Sequence, residues 1–488
     1  MTPLFQGFRG LASIAAAGLL LWTGSIRVAA QRAPAASAEK HAQTAGQPNS
    51  SSGEPVHLSS EQERERELRL LGIRDVEMRP RSSPDARAPN AANYDEAKAD
   101  VYPTLPDPLV LHDGQRVTSA AMWWKKRRPE IVAEFDREIL GYMPKHLPGV
   151  RWTVVKSTPE RADGLDVITK YVVGHVDNSI DPKISVDIDL LLVTPAHAAR
   201  PVPVMMELAL GSEFKTALAG PAAGAPDKWA VPWQPALRRG WGFAELSATS
   251  VQADSGAGLT EGIIGLMNRG QPRSLEDWGV LKAWAWGASR ALDYFETDKA
   301  VNAKEVGVEG HSRLGKAALV AMAYDPRFAI VYSSSSGEGG AKLYRHIFGE
   351  PLTSLTSVSL YQWFDGNFLR YGGPKNAGDL PVDAHELIAL CAPRPVFIGG
   401  GADVGDGYAN PKGDAWADTK GMFLAEVAAG PVYRLLGAKG LGTTVYPVAE
   451  TTLIGGDLGF RQQPYGHTPQ PNWPYFLEFA SHYFGAGR

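Results

Sequence analysis

The chain has 488 residues, of which 44% are apolar and 21% charged, and its formal net charge is −4. An apolar fraction of this size is enough for a large buried core. The small negative charge excludes the basic footprint that nucleic-acid binding requires, so we expect no nucleic-acid partner.

The N-terminal residues have the three parts of a secretory signal peptide. Arg9 precedes the apolar run "LASIAAAGLLLWTG", and the small residues of "RVAA" follow it before Gln31. The run is shorter than the roughly 20 residues that a membrane-spanning helix needs. We therefore expect a signal peptide over residues 1–30, cleaved after Ala30, and a secreted or periplasmic protein without stable membrane insertion.

Residues 31–92 are rich in Ala, Ser, Pro, Gly and charged residues. They lack the periodicity that would bury one face, which predicts a disordered linker. Within this segment, "SSEQERERELRLLGI" has the Ser-x-x-Glu start of a capping box and predicts a short helix with a solvated charge repeat. The globular domain is expected over residues 93–488.

From residue 93 onwards, short apolar runs alternate with helical patterns. Strands are predicted at "SVDIDLLLVTP", "VPVMMELAL", "GFAELSAT", "EVGVEG", "FAIVYSSSS", "RPVFIGGGA" and "TTVYPV", and helices at "SLEDWGVLKAWAWGASRALDYF" and "KAALVAMAY". This alternation is typical of a three-layer α/β sandwich, with a mostly parallel sheet and helices on both faces. The single cysteine, Cys391, excludes an intrachain disulfide, and its apolar setting indicates a buried side chain.

The stretch "VGVEGHSRLGK", residues 306–316, places Ser312 between a predicted strand and a predicted helix. That is the setting of a nucleophile elbow, although Leu314 stands where the G-x-S-x-G pattern has its second glycine. Gly310 allows a tight turn, and Gly315, one residue late, allows the helix to pack close to the sheet. The helix N-terminus favours a developing oxyanion. From the pattern alone, a helix-capping serine is an equal alternative.

The segment "GHSRLGK" is similar to the G-C-S-R-x-G-K signature of the glucuronoyl esterases, carbohydrate esterase family 15, a branch of the serine α/β-hydrolases. The stretches "NYDEAKADVYPTLPDPL", "MWWKKRRPEIVAEFDREILGYMP", "LPVDAHELIALCAPRPVF" and "GHTPQPNWPYFLEFA" resemble bacterial members, so the resemblance extends from Asn93 to the C-terminus. It implies an α/β-hydrolase fold, with Ser312 as nucleophile, Arg313 as oxyanion donor and Lys316 contacting the hydroxyls of the uronoyl ring. Fungal members carry a disulfide-forming Cys where this chain has His311.

His467 is the predicted general base among 11 histidines. It lies in "QQPYGHTPQPNW", a Gly- and Pro-rich loop after the last predicted strand. The chain order Ser, acid, His of α/β-hydrolases places the base there, and the base of the resembling family has the same "GHT" context. Histidine is well suited to accept the serine proton and return it to the leaving alcohol.

The acid of the triad is ambiguous in the sequence. Fungal members of the family have Glu at the position of Ser335, whereas bacterial members resemble this chain in having an Asp two residues before a Trp. The loop "GGGADVGDGYANPKGDAWADTKGMF" contains the pattern Asp-x-aromatic-Ala-x-x-Lys-Gly twice. The second copy abuts "MF", as in the family, so Asp414 is the preferred acid and Trp416 is expected to pack on the sugar. The alternatives that stay open are Asp403, Asp406, Asp418 and Glu338.

Together these residues predict a serine esterase that cleaves the ester between (4-O-methyl-)glucuronoyl side chains of xylan and lignin-type alcohols through an acyl-enzyme. By analogy with the family, Gln362 borders the pocket. No metal or organic cofactor is implied, and a monomer is expected. One alternative is an acetyl xylan esterase, whose acyl group would give Lys316 no partner. The other is an inactive carbohydrate-binding module, against which the intact Ser312, Arg313 and His467 argue.

Overall fold

One sheet of ten strands runs through the described part of the chain. The computed structural model describes residues 54–102, 104–162, 164–211, 234–402 and 413–485. The predicted signal peptide, residues 31–53 of the predicted linker, Asp403 and Asp406 lie outside these ranges. The strands are β1 Val150–Ala162, β2 Leu165–Val176, β3 Asp187–Pro195, β4 Val202–Ala209, β5 Gly242–Ser247, β6 Val301–His311, β7 Ile330–Ser334, β8 Val396–Gly401, β9 Thr452–Leu453 and β10 Leu458–Gln463.

The strand order in this sheet is β1-β2-β3-β5-β4-β6-β7-β8-β10-β9. Strands β5, β4, β6, β7, β8 and β10 form a run in which adjacent strands are parallel to each other. Strands β1, β2 and β3 are antiparallel, and so is the short edge strand β9. Because parallel strands have their carboxyl ends at one edge, the loops that follow β4, β6, β7, β8 and β10 meet there.

The helices that accompany the sheet are mostly short. They are α1 Ser60–Leu71, α2 Ala120–Met122, α3 Arg128–Glu138, α4 Gln234–Arg238, α5 Ala248–Val251, α6 Gly262–Met267, α7 Val280–Phe295, α8 Arg313–Tyr324, α9 Leu352–Leu355, α10 Leu369–Gly372, α11 Ala384–Cys391, α12 Thr419–Leu435 and α13 Trp473–Ser481. No helix among the described residues combines the length and the hydropathy that crossing a membrane requires.

Both faces of the sheet are covered by apolar side chains of helices. On one face, Trp284 of α7 and Leu319 of α8 belong to the larger buried cluster. On the other face, the ring of Tyr332 in β7 stacks on Phe476 of α13, with 5.0 Å between the ring centroids. Strands buried on both sides read as continuous apolar runs, as in β7 and β8. The predicted three-layer α/β-hydrolase architecture is confirmed.

At the edges of the sheet, one strand prediction is wrong and one hairpin was missed. The stretch "TTVYPV", residues 443–448, is irregular, with Val445 and Val448 exposed, and the last parallel strand is β10 instead. Pro447 lacks the N–H that a sheet ladder needs, which explains why this apolar run is not a strand. The long hairpin of β1 and β2 was not predicted.

Residues 54–92 are folded, which corrects the prediction of a disordered linker for this part. A capping box between Ser59 and Gln62 begins α1. The charge repeat of this helix is not solvated throughout: Glu67 forms an ion pair with Arg273 at 2.7 Å, and both side chains are fully buried. The partner is 206 positions away, so the local sequence pattern could not show that this face of α1 is covered.

Replacing Glu67 with Ala removes the carboxylate partner of the buried Arg273 guanidinium. We expect Glu67→Ala to lower the free energy of unfolding by about 3–5 kcal/mol, because an unpaired buried charge remains. Glu65→Ala on the same helix is the matched control, since Glu65 is exposed and lies 3.7 Å from the exposed Arg69; its effect should stay below about 1 kcal/mol. Urea denaturation measures both, and equal losses would contradict the structural role of α1.

Candidate active site

Ser312 is the residue between the end of β6 and the start of α8. Its backbone has φ 58° and ψ −127°, a conformation that L-residues other than glycine seldom adopt. Its N–H donates a hydrogen bond to the Ser334 carbonyl at 2.8 Å, which ties the turn to β7. This strand-turn-helix geometry is that of a nucleophile elbow, which lifts the serine side chain clear of the sheet.

Two glycines make this turn possible. A Cβ atom at Gly310 would lie 2.2 Å from the Leu314 carbonyl oxygen. A Cβ atom at Gly315 would lie 2.9 Å from the carbonyl oxygens of both Gly310 and Ser334. The close approach of α8 to the sheet is therefore at Gly315. At Leu314, by contrast, there is room for a buried side chain. This explains why the second glycine comes one residue later than in G-x-S-x-G.

His467 and Asp414 form a direct hydrogen bond. The Nδ1 atom of His467 lies 2.7 Å from Oδ1 of Asp414. His467 is in the loop after β10, where the Gln463 amide donates to the carbonyls of Gly466 at 2.6 Å and Thr468 at 3.0 Å. These bonds fix the loop on both sides of the imidazole. Asp414 follows β8, so both side chains reach the carboxyl edge of the sheet.

The Asp414 carboxylate is buried and accepts two further hydrogen bonds. Its Oδ2 atom accepts from the Ser335 hydroxyl at 2.6 Å and from the Gly401 N–H at 3.0 Å. Burial acts to raise the pKa of this carboxyl, but its hydrogen bonds, that from His467 foremost, hold the pKa below the usual value of an aspartate. Asp414 is therefore ionised at neutral pH and can hold the imidazole in one tautomer.

The other described candidates for the acid are engaged elsewhere. Asp418 caps α12 and lies 2.7 Å from Nδ1 of His346. Glu338 is ion-paired with Lys342, which counters the effect of burial on the pKa of this carboxyl. Asp414 differs from both in its hydrogen bond to His467.

Two cavities meet at Ser312, Arg313 and His467, which line both of them. The first cavity, of about 80 Å³, has polar and aromatic walls that include Arg81, Lys316, Glu350, Leu360, Trp363 and Trp416. The second, of about 440 Å³, is lined by Glu207, Leu208, Ala209, Leu210, His311 and Leu314. The nucleophile candidate thus has a polar space on one side and a more apolar space on the other.

Arg313, the first residue of α8, is held from two directions. Its Nη1 atom donates to Oδ2 of Asp254 at 2.7 Å. Its guanidinium carbon lies 5.1 Å from the centroid of the Trp363 ring, within the range of a cation–π contact. Asp254 was not predicted, because its place in a loop after α5 gives it no sequence signature.

Lys316 lines the first cavity but is more enclosed than expected. Its Nζ atom donates to the carbonyls of Ser336 at 2.7 Å and Glu338 at 2.5 Å, and to Oε2 of Glu350 at 3.2 Å. Burial lowers the pKa of this lysine. Three protein acceptors therefore surround the Lys316 ammonium group, which also holds the carboxylate of Glu350. Its contact with sugar hydroxyls stays a prediction.

Of the two predicted pocket residues, Trp416 is in the lining of the first cavity and Gln362 is not. The packing of Trp416 on a sugar stays a prediction. Gln362 is 1% exposed and lies behind the wall, where its amide donates to the Ser359 carbonyl at 3.0 Å and to Asp254 at 3.3 Å. Arg81, which lies in the segment predicted to be a linker, also lines the first cavity.

His311, the residue before Ser312, packs beside the predicted base. The ring centroids of His311 and His467 are 4.4 Å apart. Burial, reinforced by the neighbouring imidazole, lowers the pKa of His311 to about 3. His311 is therefore uncharged at neutral pH and does not repel a protonated His467.

Comparison with solved structures decides the family. A CE15 glucuronoyl esterase from Teredinibacter turnerae T7901 is 40% identical, has a TM-score of 0.78, and covers 87% of this chain and 99% of its own. The chain belongs to the glucuronoyl esterases of carbohydrate esterase family 15. A glucuronoyl esterase from Solibacter usitatus is similar to it at 36% identity and a TM-score of 0.69, over 79% of this chain and 99% of that one.

Comparisons of amino-acid sequence place this chain in the same family. Carbohydrate esterase MZ0003, from an unknown prokaryotic organism, is 35% identical over 436 residues, which are 83% of this chain and 95% of that protein. The 4-O-methyl-glucuronoyl methylesterase 1 of Wolfiporia cocos is 29% identical over 341 residues, 68% of this chain and 72% of that protein. The family model described as "Glucuronyl esterase, fungi" matches residues 273–437. The predicted family and the class of carboxylic ester hydrolases are confirmed.

Asp414→Asn tests the choice among the candidate acids in this glucuronoyl esterase. The amide keeps the shape of the side chain but loses the charge that stabilises the imidazolium, so we expect kcat to fall by about 10⁴-fold. Asp403→Asn and Asp406→Asn are the controls and should keep most of the activity. Steady-state hydrolysis of benzyl glucuronate measures all three. Retained activity in Asp414→Asn with a large loss in either control would contradict the assignment.

Proposed function

We propose that this glucuronoyl esterase hydrolyses the ester between (4-O-methyl-)glucuronoyl side chains of glucuronoxylan and lignin-type alcohols. Ser312 acts as nucleophile, His467 as general base and Asp414 as the acid of the triad. The observation that carries the proposal is the 2.7 Å hydrogen bond between His467 and Asp414 beside the strained turn at Ser312. A nucleophile, a base and a carboxylate that orients the base are the parts that acyl transfer through a serine requires.

In the acylation step, His467 accepts the Ser312 hydroxyl proton while Oγ attacks the C6 carbonyl of the uronoyl group. The tetrahedral intermediate carries a negative oxygen, which the Arg313 guanidinium and N–H groups at the start of α8 stabilise, since the first N–H groups of a helix have no partner within it. A guanidinium is suited to this role because it stays protonated and holds its donors in a fixed plane. The intermediate expels the alcohol, which takes its proton from His467.

In the deacylation step, water replaces the alcohol. His467 accepts a proton from the water molecule, whose oxygen attacks the acyl carbon and forms a second oxyanion in the same place. Collapse of this intermediate releases the uronic acid and returns the proton to Oγ of Ser312. The neutral His311 ring, 4.4 Å away, adds no positive charge that would oppose protonation of the base.

The two cavities suit the two parts of such an ester. In the first, Oε2 of Glu350 is held by Lys316, and the other oxygen can accept hydrogen bonds from ring hydroxyls. The Trp416 face offers an apolar surface of the kind that packs on sugar rings. In the second, Leu208, Leu210 and Leu314 give the apolar walls that an aromatic alcohol prefers. An acetyl group would leave the polar groups of the first cavity without partners.

The proposed substrate is a polymer, which determines where the enzyme can act. Glucuronoxylan does not enter cells intact, so we propose that residues 1–30 act as a signal peptide and that the enzyme works as a secreted or periplasmic monomer. The basic residue, apolar run and small residues at the N-terminus support this export.

The substrate proposal is tested by comparing kcat/KM for the benzyl ester of 4-O-methyl-glucuronate with kcat/KM for acetyl release from acetylated xylan. We expect the uronate ester to be preferred by about 10²-fold or more, because a site built for hydroxyl groups rejects a group that lacks them. Glu350→Ala should weaken this preference, and Ser312→Ala should abolish both reactions. Equal turnover of the two substrates would favour an acetyl xylan esterase.

A further inference from the structure

Asp254 connects three residues of the site through one carboxylate. Its Oδ2 atom accepts from Arg313 Nη1 at 2.7 Å. Its Oδ1 atom accepts from the Trp363 indole N–H at 2.6 Å and from the Gln362 amide at 3.3 Å. The side chain is 14% exposed. The Asp254 carboxylate thus binds both Arg313, the residue after the proposed nucleophile, and Trp363 in the wall of the first cavity.

Gln252, which is fully buried, fixes the loop that carries Asp254. Its side-chain amide donates to the Gly258 carbonyl at 2.7 Å, and its Oε1 atom accepts from the Ile264 N–H at 3.0 Å. Its backbone carbonyl accepts from the Trp284 indole at 2.9 Å. A loop with its polar groups bonded in this way supplies a rigid anchor for the carboxylate two residues later.

Arg313 needs such an anchor because its side chain is 37% exposed and has several rotatable bonds. A free arginine at this place would sample many rotamers, and an oxyanion donor is effective only when it is oriented before the charge develops. Asp254 binds one edge of the guanidinium, and the Trp363 ring lies 5.1 Å from its carbon atom. The remaining N–H groups can face the cavities at Ser312.

We propose that Asp254 is a positioning residue that holds Arg313 in the orientation of an oxyanion donor. This inference rests on the proposed role of Arg313 in stabilising the tetrahedral intermediate. The carboxylate also lowers the net positive charge near the oxyanion, so a loss of rate on removing it means that orientation outweighs this electrostatic cost. Asp254 lines neither of the two cavities at Ser312.

A double-mutant cycle separates an effect through Arg313 from a structural one. The four proteins are wild type, Asp254→Asn, Arg313→Met and the double variant, each assayed with benzyl glucuronate. We expect Asp254→Asn to lower kcat by about tenfold to a hundredfold, somewhat less than loss of an oxyanion donor, with KM changed by less than about threefold. In the Arg313→Met background the same substitution should change kcat by less than about threefold.

Asp325→Asn is the matched control. Asp325 is 10% exposed in its side chain and pairs with Arg327, also at 2.7 Å, at the far end of the same helix from Ser312. Asp325→Asn breaks an ion pair of the same length that lies away from Ser312, so we expect kcat to stay within about twofold of wild type. Thermal unfolding of each variant reports any loss of folded protein.

The outcomes distinguish the inference from the function on which it rests. An unchanged or increased kcat in Asp254→Asn overturns the inference, and so does a loss of kcat that persists in the Arg313→Met background. If Arg313→Met itself leaves kcat unchanged, the oxyanion role of Arg313 is wrong and the inference falls with it. A non-additive cycle, in which either substitution removes most of what both remove, supports the positioning role.

Discussion

The hydrogen bond from the Ser312 N–H to the Ser334 carbonyl fixes a turn that L-residues rarely make. A backbone held in such a conformation costs on the order of 1–3 kcal/mol and persists where its surroundings permit no other path. Here Gly310 and Gly315 bring the helix so close to the sheet that side chains at either position would collide with backbone. The serine hydroxyl therefore lies at the carboxyl edge of the sheet, at the N-terminus of α8, within reach of the loops after β8 and β10.

One wall of the first cavity is built from irregular chain, residues 335–383, which contains short helices. Such a stretch has few ladder hydrogen bonds, and buried ion pairs hold it instead: Lys316–Glu350, Glu338–Lys342 and Arg345–Asp383. Removing one partner of such a pair leaves a buried charge, so each pair disfavours alternative loop conformations. The N-terminal segment covers the same stretch, since the Arg79 guanidinium donates to the Tyr371 carbonyl at 2.5 Å.

The sequence predicted best what short segments encode. Ser312 and the proposed base His467 each lie in a local motif at the end of a strand, so their places followed from the order of strands and helices. For the acid, the sequence favoured Asp414 but left alternatives open, because the loop after β8 repeats one pattern twice and the hydrogen bond between Asp414 and His467 joins residues 53 positions apart. The partner of Glu67 and the carboxylate that binds Arg313 were missed for the same reason: burial and pairing across the fold leave no local signature.

Covalent labelling tests the central claim most directly, which is that the hydroxyl of Ser312 attacks the ester. The wild-type enzyme is treated with a fluorophosphonate that phosphonylates activated serines, and activity on benzyl glucuronate is followed as the labelled peptide is identified by mass spectrometry. The account predicts one equivalent of label, on the peptide that contains Ser312, with activity lost in proportion and no label in Ser312→Ala. Full activity in protein labelled at Ser312, or inactivation with the label on another residue, would contradict it.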